Sequence, residues 1–142
     1  MSTVRREAAA LAEEQGRDLV IIDGPPGIGC PVIASITGAS MVVIVTEPTL
    51  SGRHDMLRVM DLAEHFSIPA GVIVNKWDIN GEITADIEEE AGRRGVDSLG
   101  RITYDSAFTE AQIKGRTLLE ETRGLPAENI KTIWEKVCQK LG

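Results

Sequence analysis

Residues 19–31 read LVIIDGPPGIGCP, an apolar run that ends in Asp23 and continues into a loop rich in glycine and proline. Apolar side chains on both faces of such a run are typical of a parallel strand that is covered by helices. In open parallel sheets, ligands bind beyond the carboxyl ends of the strands. The stretch therefore predicts an α/β fold with Asp23 at the edge of the sheet where chemistry is expected.

Strand and helix patterns alternate along the rest of the chain. Further strands are predicted at 41–46 (MVVIVT), 70–75 (AGVIVN) and around 99–103. Helices are predicted over 4–12, 31–37, 55–66, 83–94, 109–114 and 126–141. Because no linker, low-complexity stretch or internal repeat interrupts this alternation, the sequence predicts one domain over residues 1–142. Its expected architecture is a doubly wound, mainly parallel sheet with helices on both faces.

Composition argues against several classes of protein. The 142 residues are 42% hydrophobic, which is enough for a core, and the net charge of -7 disfavours nucleic acid as a partner. The two cysteines, Cys30 and Cys138, are far apart and indicate neither a disulfide framework nor a metal site. Cys30 is expected to be a small buried side chain. The charged start of the chain and the lack of a long apolar run predict a soluble, cytoplasmic protein.

The last predicted helix has an apolar stripe that allows two interpretations. The stripe consists of Ile130, Ile133, Trp134, Val137 and Leu141. It could lie on a membrane surface. Packing against the sheet is the favoured interpretation, because an apolar parallel sheet needs helices over both faces.

Polar residues follow three of the predicted strands. They are Asp23 with its glycines, Glu47 with Pro48, and the NKWD loop, Asn75–Asp78. Each alone has a simple structural explanation as a turn or a helix cap. Together they favour function, since an aspartate can hold Mg²⁺ through water and a glycine N–H can approach a terminal phosphate. An asparagine amide can also read a base edge, and an aspartate can accept from the amino groups of guanine.

The stretch from Arg17 to Asn80 resembles the second half of the MinD/ParA/Mrp superfamily of P-loop ATPases, which have a deviant Walker A motif. Residues 101–120 (RITYDSAFTEAQIKGRTLLE) resemble a later stretch of one subgroup. That subgroup comprises MinD-like ATPases with an inserted ferredoxin domain, also described as the cobyrinic acid a,c-diamide synthase nucleotide-binding domain family. The resemblance extends from about Val4 to Leu141.

The resemblance implies roles for individual residues. Asp23 matches the Walker B aspartate, which holds Mg²⁺ through water, and the switch II segment that follows it ends at Gly27. Asn75 matches the asparagine that contacts the base. The matched nucleotide-binding positions are Gly24, Pro25, Pro26, Asn75, Lys76, Asp78, Tyr104 and Asp105. Members of the superfamily are ATPases that dimerise around two ATP molecules, so ATP, Mg²⁺ and self-association are expected. Lys76 and Asp78 complete an NKxD pattern as in GTPases, which leaves GTP as the alternative.

The phosphate-binding loop of this superfamily has no counterpart in the chain. Such a loop needs Gly-Lys followed by Ser or Thr, and the sequence contains no Gly-Lys dipeptide. We therefore expect residues 1–142 to be the carboxyl-terminal half of an ATPase domain, inactive without an amino-terminal P-loop half. The apolar run 19–22 is expected to form an exposed strand edge through which chains self-associate.

Three types of complete protein fit these observations. The first is an ATP-driven switch coupled to an iron–sulfur or electron-transfer partner, with any cluster in an upstream module. The second is a ligase of the cobyrinic acid a,c-diamide synthase or dethiobiotin synthetase type. The third is a binding module that has lost nucleotide chemistry.

Overall fold

The structure, a computed structural model, describes residues 3–27 and 29–142. The helices are α1 Thr3–Glu14, α2 Cys30–Ile36, α3 Leu50–His65, α4 Gly81–Arg93, α5 Ala107–Ile113, α6 Leu118–Glu121 and α7 Leu125–Leu141. The strands are β1 Val42–Thr46, β2 Ala70–Asn75 and β3 Asp97–Ile102, and a short 3-10 helix spans Trp77–Ile79. In the described ranges, no helix is both long enough and apolar enough to cross a membrane.

The three strands form a parallel sheet in the order β1-β2-β3. The pairing of β2 with β3 shifts register between Val72 and Ile73. At Gly71 in β2, an added Cβ would lie 2.6 Å from Leu99 Cδ1, so only glycine lets this leucine pack over the strand. The predicted α/β fold with a parallel sheet is confirmed.

Each face of the sheet has its own core. On the first face, α3 and α4 cover β1 and β2; the buried members there are Val42, Ile44, Met56, Met60, Val72, Val74, Ile87 and Ala91, together with Val32 and Ile36 of α2. On the second face, α7 packs on β3 through Ile133 and Val137, which lie against Ile73 and Leu99. The predicted packing of the last helix is therefore confirmed for Ile133 and Val137, while Trp134 is exposed.

The predicted first strand is wrong. Residues 19–23 carry no strand assignment, and the exposed fractions of Leu19, Val20, Ile21 and Ile22 run from 39% to 75%. A parallel strand exists only through hydrogen bonds to a neighbour, and the described residues offer this segment no strand partner. The apolar pattern was identified correctly, but the pairing that would make it a strand is not formed.

The start of the chain is largely exposed, which contradicts the burial predicted for Cys30. The helix predicted over 4–12 forms as α1, but none of its residues is buried, and Val4 and Leu11 on its apolar face are exposed. Cys30, expected to be buried, is exposed at the first position of α2. Both lie next to the exposed segment 19–22, so this part of the chain contributes little to the core.

Helix boundaries differ from the predictions where capping decides them. α3 begins at Leu50, five residues before the predicted start, because Thr49 Oγ1 accepts a hydrogen bond from Gly52 N at 2.9 Å. The short helix α6 was not predicted. It is stabilised by a capping box in which the Glu120 carboxylate accepts hydrogen bonds from Thr117 N and Thr117 Oγ1.

Candidate functional site

An ion pair joins the ends of β1 and β2. Lys76 Nζ donates to Glu47 Oε1 at 2.7 Å, and both residues directly follow a strand. Lys76 has a left-handed backbone with φ of 54°, which turns the chain sharply after Asn75. The hydrogen bond to Glu47, together with the charge of that carboxylate, raises the pKa of Lys76. The predicted meeting of the strand ends is confirmed for these two residues.

The rest of the NKWD loop contacts the segment that follows β3. Asp78 Oδ1 accepts a hydrogen bond from Tyr104 N at 2.8 Å. Trp77 Nε1 donates to Thr103 Oγ1 at 3.3 Å. The 103–105 loop is thus held against the end of β2 by two successive residues.

Helix α7 supports the same loop from the other side. Asn129 Oδ1 accepts hydrogen bonds from both Thr103 N and Thr103 Oγ1, each at 3.1 Å. In α4, Thr84 Oγ1 donates to the carbonyl oxygens of Trp77 and Asn80 at 2.9 Å. Thr84 is fully buried, so its hydroxyl fixes the turn after the NKWD loop from inside the core.

Arg101 lies over the Trp77 ring, with its guanidinium carbon 4.9 Å from the ring centroid. Its Nε and Nη2 donate to the two carboxylate oxygens of Glu88 at 2.8 and 2.6 Å. The hydrogen bonds from Arg101 hold the pKa of Glu88 below its usual value. Trp77 is therefore packed in a fixed orientation at the end of the sheet.

Asn75 and Asp105 differ in what they can still bind. Asn75 is half-buried at the end of β2, and its side chain makes no hydrogen bond to another described residue. Its amide can donate to and accept from a ligand. Asp105 Oδ1 instead accepts from Ala107 N at 2.8 Å, which places it at the start of α5. Tyr104, which precedes Asp105 in the sequence, is 60% exposed.

The segment from Asp23 to Gly27 is exposed and stands apart from these contacts. Within residues 3–27 and 29–142, no side-chain hydrogen bond or ion pair connects Asp23 to the NKWD loop. Gly27 has φ of 89°, a conformation that side-chain-bearing residues rarely adopt. No group of three metal-ligand side chains occurs in the described parts of the chain. One free carboxylate fits Mg²⁺ that is shared with phosphates, since Mg²⁺ keeps most of its waters.

The loop after β1 was only partly identified from sequence. An added Cβ at Gly52 would lie 2.4 Å from Glu47 O and 2.9 Å from Thr46 Oγ1, so glycine is required for the turn that presents Glu47. Arg53 Nε is buried without a hydrogen-bond partner among the described residues. The sequence signal for this tight turn is Gly52, three residues after Thr49.

A pocket of about 370 Å³ lies between β3 and α7 and was not predicted. Its lining consists of Trp77, Gly100, Arg101, Thr103, Leu125, Asn129, Thr132 and Ile133. Arg101, Thr103 and Asn129 already satisfy one another or Glu88. These three polar side chains of the lining therefore have partners within the protein.

No protein-family model matches the chain. An uncharacterised protein of Methanocaldococcus jannaschii is 35% identical over 129 residues, which are 89% of this chain and 42% of that protein. The septum site-determining protein MinD of Bacillus subtilis is 31% identical over 111 residues, 74% of this chain and 41% of that protein. The chain thus spans less than half the length of these curated relatives.

Solved structures share the fold. MinD from Pyrococcus horikoshii, in complex with Mg-ADP, matches with a TM-score of 0.76 at 19% identity, over 97% of this chain and 58% of that one. MinD in a MinC:MinD complex from Aquifex aeolicus matches with a TM-score of 0.79 at 18% identity, over 96% and 58% of the two chains. The chain shares the fold of these MinD structures, and its sequence similarity to MinD of Bacillus subtilis shows that it is related to the MinD/ParA superfamily of P-loop ATPases.

Proposed function

We propose that residues 1–142 are the carboxyl-terminal half of a MinD-like ATPase domain. In this proposal the chain supplies the Mg²⁺ and γ-phosphate segment, Asp23–Gly27, and the base-contacting Asn75. An amino-terminal half supplies the phosphate-binding loop, and the chain hydrolyses ATP only when the two halves are joined. The partial coverage of the relatives supports this division.

The observation that carries the proposal is the exposure of apolar residues 19–22. These four side chains are 39% to 75% exposed, although their pattern is that of a strand buried on both faces. In the superfamily, the strand that ends at the Walker B aspartate neighbours the P-loop strand. A P-loop half that pairs with this segment would bury it and would fix Asp23 at the end of a strand.

A second apolar surface lies on β1. Val43 and Val45 are 39% and 60% exposed, on the sheet face that α7 covers only at β3. Burying two valines and the four residues of segment 19–22 would stabilise the joined form by several kcal/mol, at roughly 25 cal/mol per Å² of apolar area. The proposed amino-terminal half would therefore cover the apolar surfaces of residues 19–22 and of β1.

The chemistry assigned to this chain is incomplete by itself. Catalysis of phosphoryl transfer is almost entirely positioning and charge stabilisation, and the P-loop lysine with its backbone amides provides most of both. Asp23 would hold Mg²⁺ through water, and the ion would supply charge neutralisation to the phosphates. Gly27 N–H is assigned the contact with the γ-phosphate, because its φ of 89° favours glycine, and a glycine has no side chain to obstruct a phosphate.

Phosphate release by a fused protein tests this assignment. The chain is joined to an amino-terminal half that carries a Gly-Lys-Ser/Thr loop, and hydrolysis is measured with and without Mg²⁺. Asp23→Ala should abolish Mg²⁺-dependent hydrolysis but leave some nucleotide binding through Asn75. Asp18→Ala, which removes another exposed carboxylate five residues earlier, is the matched control. Full activity of Asp23→Ala would overturn the role of Asp23.

For the complete protein, we propose a cytoplasmic ATP-driven switch that dimerises and acts on an iron–sulfur or electron-transfer partner. The support is the resemblance of residues 17–80 and 101–120 to ferredoxin-containing MinD-like ATPases. The coding sequence immediately upstream tests this. A Gly-Lys-Ser/Thr loop together with clustered CxxC spacings is expected, whereas a P-loop without cysteine clusters would favour a ligase of the diamide synthase or dethiobiotin synthetase type.

A further inference from the structure

We infer that the NKWD loop holds the 103–105 loop in place and does not read guanine, so that Asp78 is a positioning residue for either purine. The inference rests on the proposed function only where it concerns nucleotides. The arrangement of the loop itself is independent of any ligand.

The carboxylate of Asp78 already accepts a hydrogen bond within the protein. Its Oδ1 accepts from Tyr104 N at 2.8 Å. To read guanine, a carboxylate accepts from the ring N–H and the amino group of the base together, which takes both of its oxygens. Here Oδ1 already accepts one hydrogen bond within the protein, which leaves it a single lone pair and fixes the orientation of the carboxylate toward the 103–105 loop. A charge-assisted hydrogen bond of this kind is among the stronger ones.

Two of the other three side chains of the loop also have partners within the protein. Lys76 pairs with Glu47 at 2.7 Å, and Trp77 lies between Thr103 and Arg101. Three successive residues thus tie the segment after β2 to the segments after β1 and β3. Asn75 is the member of the motif whose side chain has no hydrogen-bond partner among residues 3–27 and 29–142.

This arrangement has a consequence for base selectivity. If Asp78 only positions the 103–105 loop, removing its side chain weakens the binding of ATP and of GTP by the same factor. If Asp78 reads guanine, removing its side chain weakens the binding of GTP alone. Asp78→Asn separates the two roles, because an asparagine carbonyl can still accept from Tyr104 N but cannot accept from two guanine donors.

The first test uses amide hydrogen exchange in the chain alone. Asp78→Ala should accelerate exchange at Tyr104 N–H by at least roughly tenfold, the loss expected for a charge-assisted hydrogen bond, and Asp78→Asn should keep most of the protection. The Val74 amide in β2 is followed as the reference, since global destabilisation would accelerate it too. Asp86→Ala, an exposed carboxylate on α4, is the control. Unchanged Tyr104 exchange in Asp78→Ala would overturn the inference.

The second test measures ATP and GTP affinity in the fused protein. We expect Asp78→Ala to lower the affinity for ATP and for GTP by the same factor. Asp78→Asn should have nearly the wild-type affinity for both nucleotides. A loss confined to GTP in both variants would contradict the positioning role. If the unsubstituted fusion binds neither nucleotide, the proposed function fails, and the Tyr104 exchange measurement still decides the role of Asp78.

Discussion

Lys76 Nζ and Glu47 Oε1 lie 2.7 Å apart, and each residue is the first after its strand. The pair therefore joins the loops after β1 and β2 at the edge where an open parallel sheet binds its ligand. Both side chains are partly exposed. The pair contributes mainly to the geometry of this edge, since exposed ion pairs add little to global stability.

The Lys76–Glu47 pair should make stability depend on pH at the alkaline end. Glu47 raises the pKa of Lys76 above 10.5, so the pair stabilises the fold below that pH and loses its effect as pH rises through the folded-state pKa. Urea unfolding of the wild type and Lys76→Met should differ near pH 8, and the difference should disappear as pH rises through the raised pKa of Lys76. A difference that grows with pH would contradict this assignment.

The Glu88–Arg101 pair should act at the acid end. Arg101 lowers the pKa of Glu88 below 4.5, so its contribution is present above that pH and disappears as pH falls through the folded-state pKa. Glu88→Gln should destabilise the protein by about 1 kcal/mol at pH 7, in the range of well-formed surface pairs. The difference from wild type should shrink below about pH 4. An equal difference at pH 3 and pH 7 would exclude the charge of Glu88 as its cause.

Gly52→Ala tests the turn that presents Glu47. Its new Cβ would lie 2.4 Å from Glu47 O, so the backbone must shift, and we expect a loss of roughly 1–3 kcal/mol in unfolding free energy. Gly92→Ala is the matched control, because that helical glycine has open space around its Cβ position. It should be neutral or stabilising by up to about 1 kcal/mol. Similar effects of both substitutions would show that packing against Glu47 does not decide the turn.

The exposed apolar run 19–22 should make the isolated chain self-associate. Unpaired apolar segments with free backbone groups readily pair with another chain. Light scattering should report an apparent mass that rises with concentration, and Ile21→Lys should suppress the rise. Val4→Lys places the same charge on another exposed apolar site in α1 and should have a smaller effect. A monomer at high concentration, with fast amide exchange along 19–22, would refute this prediction.

The sequence was sufficient to predict the parts of the fold that local pattern determines. The strands at 42–46 and 70–75 and the buried face of α3 agree with the alternation and spacing of apolar residues. The failed strand at 19–23 depends on a neighbour that pattern cannot supply. Likewise, the face of α1 is apolar, but nothing in the described residues buries it.

The sequence predicted where the NKWD loop lies but not the contacts that it makes. The loop follows β2 as expected, whereas the ion pair between Lys76 and Glu47 was not predicted. The hydrogen bond from Tyr104 N to Asp78 could not be predicted from sequence, because it depends on how closely the loop after β3 approaches the NKWD loop. Roles in nucleotide binding for Asp23, Gly27 and Asn75 stay predictions.

Calorimetric titration of ATP and Mg²⁺ into the isolated 142-residue chain tests whether the chain binds nucleotide without a P-loop half. We expect no binding at micromolar concentrations, because one water-mediated carboxylate holds Mg²⁺ weakly without a phosphate-binding loop. The same titration into the fusion with a P-loop half should give clear binding. Tight ATP binding by the isolated chain would mean that it contains a complete phosphate site, and the half-domain account would be wrong.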